Sequence, residues 1–328
     1  MPQRSHTALT ARLALSALTL PLAAPALAQQ YPVKPLRMIV PYAPGGGTDT
    51  ISRLVAQRLG EALGQLVVID NRPGAGGLIG TEAALKLPAD GYTLAAGTIS
   101  TLAIIPITQA KPSYDPQKDF TPVSLLSTGP YLLVAHPSLP ARTVADLVRL
   151  ARARPGGVAY GSTGIATGTH LTAEYFSSVS GVRMTHVPYK GDGPAVIDLL
   201  SGQISIGFFT PIIMTQHIRS GRLRGIAVTA TARTRDLPDV PTVAESGYPG
   251  FESGSWLGVT VRAGTPAAVV RRLNAEIVRA MSIAELRAAI EAQGNNPAAD
   301  APEAFERLIA AEIAKWKRVI AGAGIKVE

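Results

Sequence analysis

Two stretches carry residue types suited to holding an anion. They are Pro44-Gly45-Gly46-Gly47-Thr48-Asp49 and Gly161-Ser162-Thr163-Gly164-Ile165-Ala166-Thr167-Gly168-Thr169-His170. Each stands between an apolar strand-like run and a helical pattern. Free backbone N–H groups and the positive end of a helix dipole favour negative charge there, glycine lets a ligand approach the backbone, and the hydroxyls add neutral donors. If the two turns face each other, a ligand with two carboxylates is held at both ends. The alternative for each is a tight strand–helix connection with no ligand.

Other chemistries fit less well. No lysine follows either turn in the Walker A manner, and Gly74-Ala75-Gly76-Gly77-Leu78-Ile79-Gly80 misses the dinucleotide fingerprint by one residue. That third turn reads as a packing turn. Ser162 in Tyr160-Gly161-Ser162-Thr163-Gly164 approaches a nucleophile elbow, but Tyr160 stands where the first glycine belongs. A secreted serine hydrolase using Ser162 is the alternative from a different class. His136, His170, His186 and His217 show no zinc spacing, and the chain has no cysteine, so no metal or other cofactor is expected. His170 is open to three roles: helix cap, ligand contact or core group. The basic residues are dispersed among acids and aromatics are 5%, which speaks against nucleic acid.

The surrounding pattern is strand–helix alternation with short turns, the mark of mostly parallel α/β sheets. Strands are expected at 36–40, 67–69 and 93–96, with helices at 51–63, capped by Thr48 or Asp49, and at 80–86. From residue 131 the alternation restarts: strands at 131–135, 159–160, 185–187, 204–208 and 226–229, and helices after Thr143, near Thr169 and at 194–201. A strand at 256–261 and three helices close the chain. They need a sheet to pack on, and the first one is the simplest choice. That makes a discontinuous domain 1 of residues 29–128 and 251–328 around a domain 2 of 129–250, with hinge or turn crossings near 127–130 and 247–254.

The chain has 328 residues and a net charge of +8, with 16% charged residues against roughly 25% in ordinary soluble domains. Arg4 and Arg12, a proline-broken apolar run from Leu13 to Leu22, and Ala26-Leu27-Ala28 form the layout of a secretory signal peptide. Cleavage after Ala28 gives an expected periplasmic, soluble protein of net charge +6.

Many ordered motifs carry a resemblance over nearly all of the mature chain. They include Lys34-Pro35-Leu36-Arg37 through Asp49, Val68-Ile69-Asp70-Asn71-Arg72-Pro73-Gly74-Ala75-Gly76-Gly77, Pro88-Ala89-Asp90-Gly91-Tyr92, Tyr114-Asp115-Pro116, His186-Val187-Pro188-Tyr189-Lys190-Gly191, and Leu237-Pro238-Asp239-Val240-Pro241-Thr242. The chain resembles the extracytoplasmic solute receptors of tripartite tricarboxylate transporters, the Bug receptors. The resemblance implies a type II periplasmic-binding-protein fold: two α/β lobes closing like a flytrap, as a monomer, on a small carboxylate (a di- or tricarboxylate, an amino acid or an aromatic acid). It implies a binding protein rather than an enzyme, presenting its ligand to membrane permease subunits or to a membrane sensor. Carried over by motif, the site comprises Tyr42, Ala43, Gly45, Gly46, Gly47, Thr48 and Asp49 from the first turn, Ser162, Thr163, Gly164, Thr167 and His170 from the second, and Ser100 after the third strand. At Ser205 the chain lacks an acid the family often has, and its second turn is richer in threonine than the family form.

Overall fold

The structure is a computed structural model describing residues 31–323; the expected leader, 1–28, lies outside them. Strands β1 (Leu36–Val40), β2 (Val67–Asn71) and β3 (Thr93–Thr98) alternate with helices α1 (Gly47–Leu63) and α2 (Leu78–Leu85). A π-helical turn (Ser100–Ile104), two short helices, α3 (Ile105–Thr108) and α4 (Pro116–Asp119), and the long strand β4 (Phe120–Pro130) follow. The next section holds β5 (Leu132–Ala135), α5 (Val144–Ala153), β6 (Ala159–Ser162), α6 (Gly168–Ser180) and β7 (Thr185–Pro188). It ends with α7 (Asp192–Leu200), β8 (Ile206–Phe209), α8 (Pro211–Arg219) and β9 (Arg224–Val228). The chain closes with β10 (Gly254–Arg262), α9 (Ala267–Met281), α10 (Ala284–Glu291), β11 (Asn296–Pro297) and α11 (Pro302–Ala323).

These strands form two sheets, ordered β11-β4-β10-β3-β1-β2 and β7-β6-β8-β5-β9. Both sheets are mostly parallel, as expected, with four of six strands in the first and four of five in the second running one way, but each also holds reversed strands. β10 enters between β3 and β4 and runs antiparallel to both; β5 does the same between β8 and β9. Each of these strands comes straight from the other sheet rather than through a crossover helix, so it has no reason to run parallel.

Burial on both faces explains why the central strands read as apolar runs. Along β5, Leu133 and Ala135 join one core with Phe176 and Phe208, while Leu132 and Val134 join another with Val196 and Phe209. The first sheet's core gathers Ile39, Ala95, Phe305 and Trp316, and it also takes in Ala166 and Leu171 from the second glycine turn and α6. The two sheets therefore share one apolar contact beside the cleft.

The two crossings are tied together by Thr229, which is fully buried. Its hydroxyl accepts from Tyr131 N (2.8 Å) and donates to Ser253 O (2.6 Å). Its own backbone N–H donates to Tyr131 O, and Ser253 N donates to Thr229 O. Thr229→Val keeps the shape but leaves a buried N–H and carbonyl unpaired. We expect a loss of about 2–3 kcal/mol in urea unfolding, with the slope unchanged.

Candidate functional site

The first glycine turn is built by a carboxylate rather than by a helix cap. α1 begins at Gly47 with Gly46 as a cap that has no side-chain bond, and Gly45 takes φ +82°, so neither Thr48 nor Asp49 caps it. Asp49 sits inside the first turn and folds back, accepting from Gly45 N (3.0 Å), Arg53 Nε (2.9 Å) and Asn71 Nδ2 (2.9 Å). Asn71 also donates to Tyr42 O. Burial opposes the charge on Asp49, but the bonds from Arg53, Gly45 and Asn71 outweigh it and hold the carboxyl below its usual range. Asp49 is thus a brace that shapes the loop.

The second turn is held by threonines. Thr167 caps α6 by accepting from His170 N, and it bonds Gly164 O (2.7 Å). Thr169 Oγ1 accepts from Thr163 N (2.9 Å) and lies 2.9 Å from Thr163 Oγ1. Ser162, with no exposed surface, bonds His186 Nε2 at 2.6 Å and Gly164. His170 Nδ1 accepts from Ala166 N, and its ring stacks on His186 at 4.0 Å, which stacks in turn on Tyr160.

The Ser162–His186 pair has the geometry of a nucleophile and base, yet its surroundings oppose that role. Burial pushes His186 down to about 4, and no carboxylate bonds it among the described residues. Ser162 is also not among the residues lining the cleft cavity. We therefore expect no ester turnover, and Ser162→Ala should change ligand affinity by less than about threefold while lowering the melting temperature, as calorimetry would show.

Loops from the two sheets meet at backbone range. Ala43 N donates to Lys190 O (3.3 Å), Gly168 N to Ser100 Oγ (3.0 Å) and Gly47 N to Asp192 Oδ2 (3.4 Å). A Cβ on Gly47 would lie 2.8 Å from Thr210 Oγ1, and one on Gly76 would lie 2.4 Å from Ile165 O.

Between them is a cavity of about 60 Å³. That is room for several waters or one small organic molecule. Of the expected residues, Tyr42, Gly47, Thr48, Ser100 and Thr163 line it. Ala43, Gly45, Gly46, Asp49, Ser162, Gly164, Thr167 and His170 are not among the lining residues, and those described above shape the two turns. Tyr131, Asp192, Thr210 and Trp256 line it too, as do hydroxyls from β3, β4 and β10 (Thr98, Ser127 and Ser255). The sequence carried a usable signal for two of these: Gly191-Asp192-Gly193 and Thr210-Pro211 are further strand–helix junctions.

The N-terminal ends of four helices, α1, α6, α7 and α8, reach this cavity through Gly47 and Thr48, Thr169, Asp192 and Thr210. Among the described residues, no lysine or arginine lines it. Its donors are hydroxyls, the indole N–H and helix-end amides, so it suits an anion without a fixed cation. Among the described residues no acid–histidine group of three or more could hold a metal, and no helix is long and apolar enough to cross a membrane.

Comparison with known proteins agrees with this architecture. The tripartite tricarboxylate transporter family receptor model, TctC, matches residues 51–325. Protein BugT of Bordetella pertussis is 38% identical over 98% of this chain and 99% of its own length. The structure of R. palustris Rpa4515 with adipate is 37% identical, with a TM-score of 0.87 over 90% of this chain and 99% of that one. MatC (Rpa3494) from Rhodopseudomonas palustris with bound malate is 30% identical, with a TM-score of 0.85 over 88% of this chain and 100% of that one. Two sheets joined by paired crossings, a cleft between them and these matches establish a two-lobe periplasmic-binding-protein fold, and the chain belongs to the tripartite tricarboxylate transporter receptor family.

Proposed function

We propose that this protein is an exported solute receptor that takes a small carboxylate into the cleft and presents the closed form to the permease subunits of a tripartite tricarboxylate transporter. It acts by binding, without catalysis, as a periplasmic monomer. Its first lobe is built from residues 29–128 and 251–328 and its second from 129–250. The observation that carries this reading is the convergence of four helix N-termini on a cavity free of lysine and arginine. Relatives bound to adipate and malate support the carboxylate class.

Capture follows from the two-sided lining. Tyr42, Thr48 and Ser100 come from the first lobe, and Thr163, Thr169 and Thr210 from the second. A ligand touching both sets is fully bonded only when the lobes are shut, so it stabilises the closed state. Each hydrogen bond to a charged ligand contributes about 1.5–3 kcal/mol.

A thermal-shift screen of small carboxylic acids tests this directly, because a ligand bound only by the folded state raises the melting temperature. The acid found should lose about 100- to 10,000-fold in affinity in the Thr48→Ala/Thr163→Ala double variant, measured by calorimetry. Unchanged affinity in a folded double variant overturns the assignment of these hydroxyls. A screen in which no acid raises the melting temperature overturns the carboxylate reading.

A further inference from the structure

One group in the cavity does not suit a simple carboxylate. Asp192 opens α7 and is 8% exposed. One of its oxygens accepts from Gly47 N across the cleft, and the other, Oδ1, is buried with no hydrogen-bond partner among the described residues. It lines the same cavity as Trp256 and Thr210, whose indole N–H and hydroxyl are also unpartnered. Neither of these donors bonds to Asp192.

An orphaned carboxylate oxygen in a closed cleft carries a desolvation penalty that only a donor can remove. A plain dicarboxylate offers none, and it adds like charge beside Asp192. Trp256, Thr210 and the helix ends meanwhile offer donors for the ligand's own carboxylate. Resting on the receptor reading above, we propose that Asp192 selects the ligand class: the cleft takes a small acid that also carries a protonated amine, with the carboxylate on the helix-end donors and the ammonium on Asp192 Oδ1. Burial pushes Asp192 up to about 6, as expected for a carboxylate awaiting a cationic partner. No lysine or arginine lines the cavity to fill that role from the protein side.

The test uses matched pairs that differ by one amino group: L-aspartate against succinate, L-glutamate against glutarate, and 4-aminobutyrate against butyrate. Each is titrated calorimetrically into the full mature chain and into Asp192→Asn. We expect at least one amino member to bind about tenfold or more tighter than its partner, and the preference to fall below about threefold in the variant, which keeps an acceptor for Gly47 N. Should Asp192→Asn fail to fold, the matched pairs on the natural protein decide alone. Des-amino acids that bind as tightly as their amino partners overturn the proposal and leave the receptor reading standing. A preference that survives in folded Asp192→Asn also overturns it. Absence of binding by both classes, with the fold intact, overturns this proposal, and the screen of other carboxylates then decides the receptor reading.

Discussion

Gly76→Ala should lower ligand affinity by about 100-fold while leaving each lobe folded. Gly76 lies in the turn after β2, with φ +67°. A Cβ there would sit 2.4 Å from Ile165 O and 3.3 Å from Thr167 Cγ2, both in the second lobe's glycine turn. The first contact is with backbone, which cannot rotate away as a side chain end can. Relief requires the two turns to separate by several tenths of an ångström, and that opposes closure. An overlap of this kind costs about 1–3 kcal/mol, and the upper figure corresponds to roughly 100-fold in affinity. Backbone strain alone would give a different pattern, and Gly64→Ala isolates it. Gly64 has nearly the same φ, +66°, with nothing within 4 Å of an added Cβ. Both variants should lose about 1 kcal/mol of stability from the left-handed backbone. Only Gly76→Ala should lose affinity. Equal affinity in the two, measured by calorimetry with the acid found in the screen, would mean that the lobes do not close to this distance.

The contrast between these glycines marks where sequence reasoning stops. The strand–glycine–helix units were legible because each is local: an apolar run, a turn and an amphipathic period within about thirty residues. Thr143 caps α5 with a full capping box, as its spacing with Asp146 allows. β4 was not legible. Its eleven residues include Pro122, Ser124, Ser127 and Gly129, and the helices α9 and α11 cover it, so no alternation survives. Its ladder with β10 shifts register between Val259 and Thr260, beside the pairing of Thr260 with Pro122, where proline has no N–H to donate. α8 carries one local signal, Pro211 at its start, which is a common helix opening.

The candidate site divides along the same line. Two of its loops stood out by composition. Asp192 and Thr210 carried only the mark of a strand–helix junction and Trp256 carried none, because nothing local brings positions 192, 210 and 256 to one cavity. That needs β10 to cross back between β3 and β4, a fact of topology. The third glycine turn, read as a packing turn, lies against the second lobe through Gly76 and Ile165. Its partner was invisible for the same reason.

Acid should destabilise this protein sharply between about pH 6.5 and 4, and the cause is the stacked pair His170 and His186. Burial pushes His170 down to about 3, with His186 adding to the shift, and burial pushes His186 to about 4. An unfolded chain titrates both near 6.5. Above that value neither state is charged and the pair contributes no pH dependence. Below it the unfolded chain takes up protons that the fold refuses, so stability is lost as pH falls toward the folded values. Two refused protons give a slope of about 2.7 kcal/mol per pH unit at most. The half-buried His186 supplies less than its full share, because water screens it. Asp192 acts in the opposite sense. Its folded value of about 6 lies above the unfolded one, so the fold gains stability as pH falls through that window, offsetting up to one proton. Urea unfolding at pH 7.5, 6, 5 and 4.5 should therefore show a net acid limb of about 1–1.5 kcal/mol per pH unit, steepening in Asp192→Asn. His186→Gln keeps a partner for Ser162 and removes one titrating ring. It should flatten the limb by less than one full proton without moving stability at pH 7.5 by more than about 2 kcal/mol. A flat profile from pH 6.5 to 4.5 would show that the rings are solvated in the folded protein and that the stacked pair is not closed.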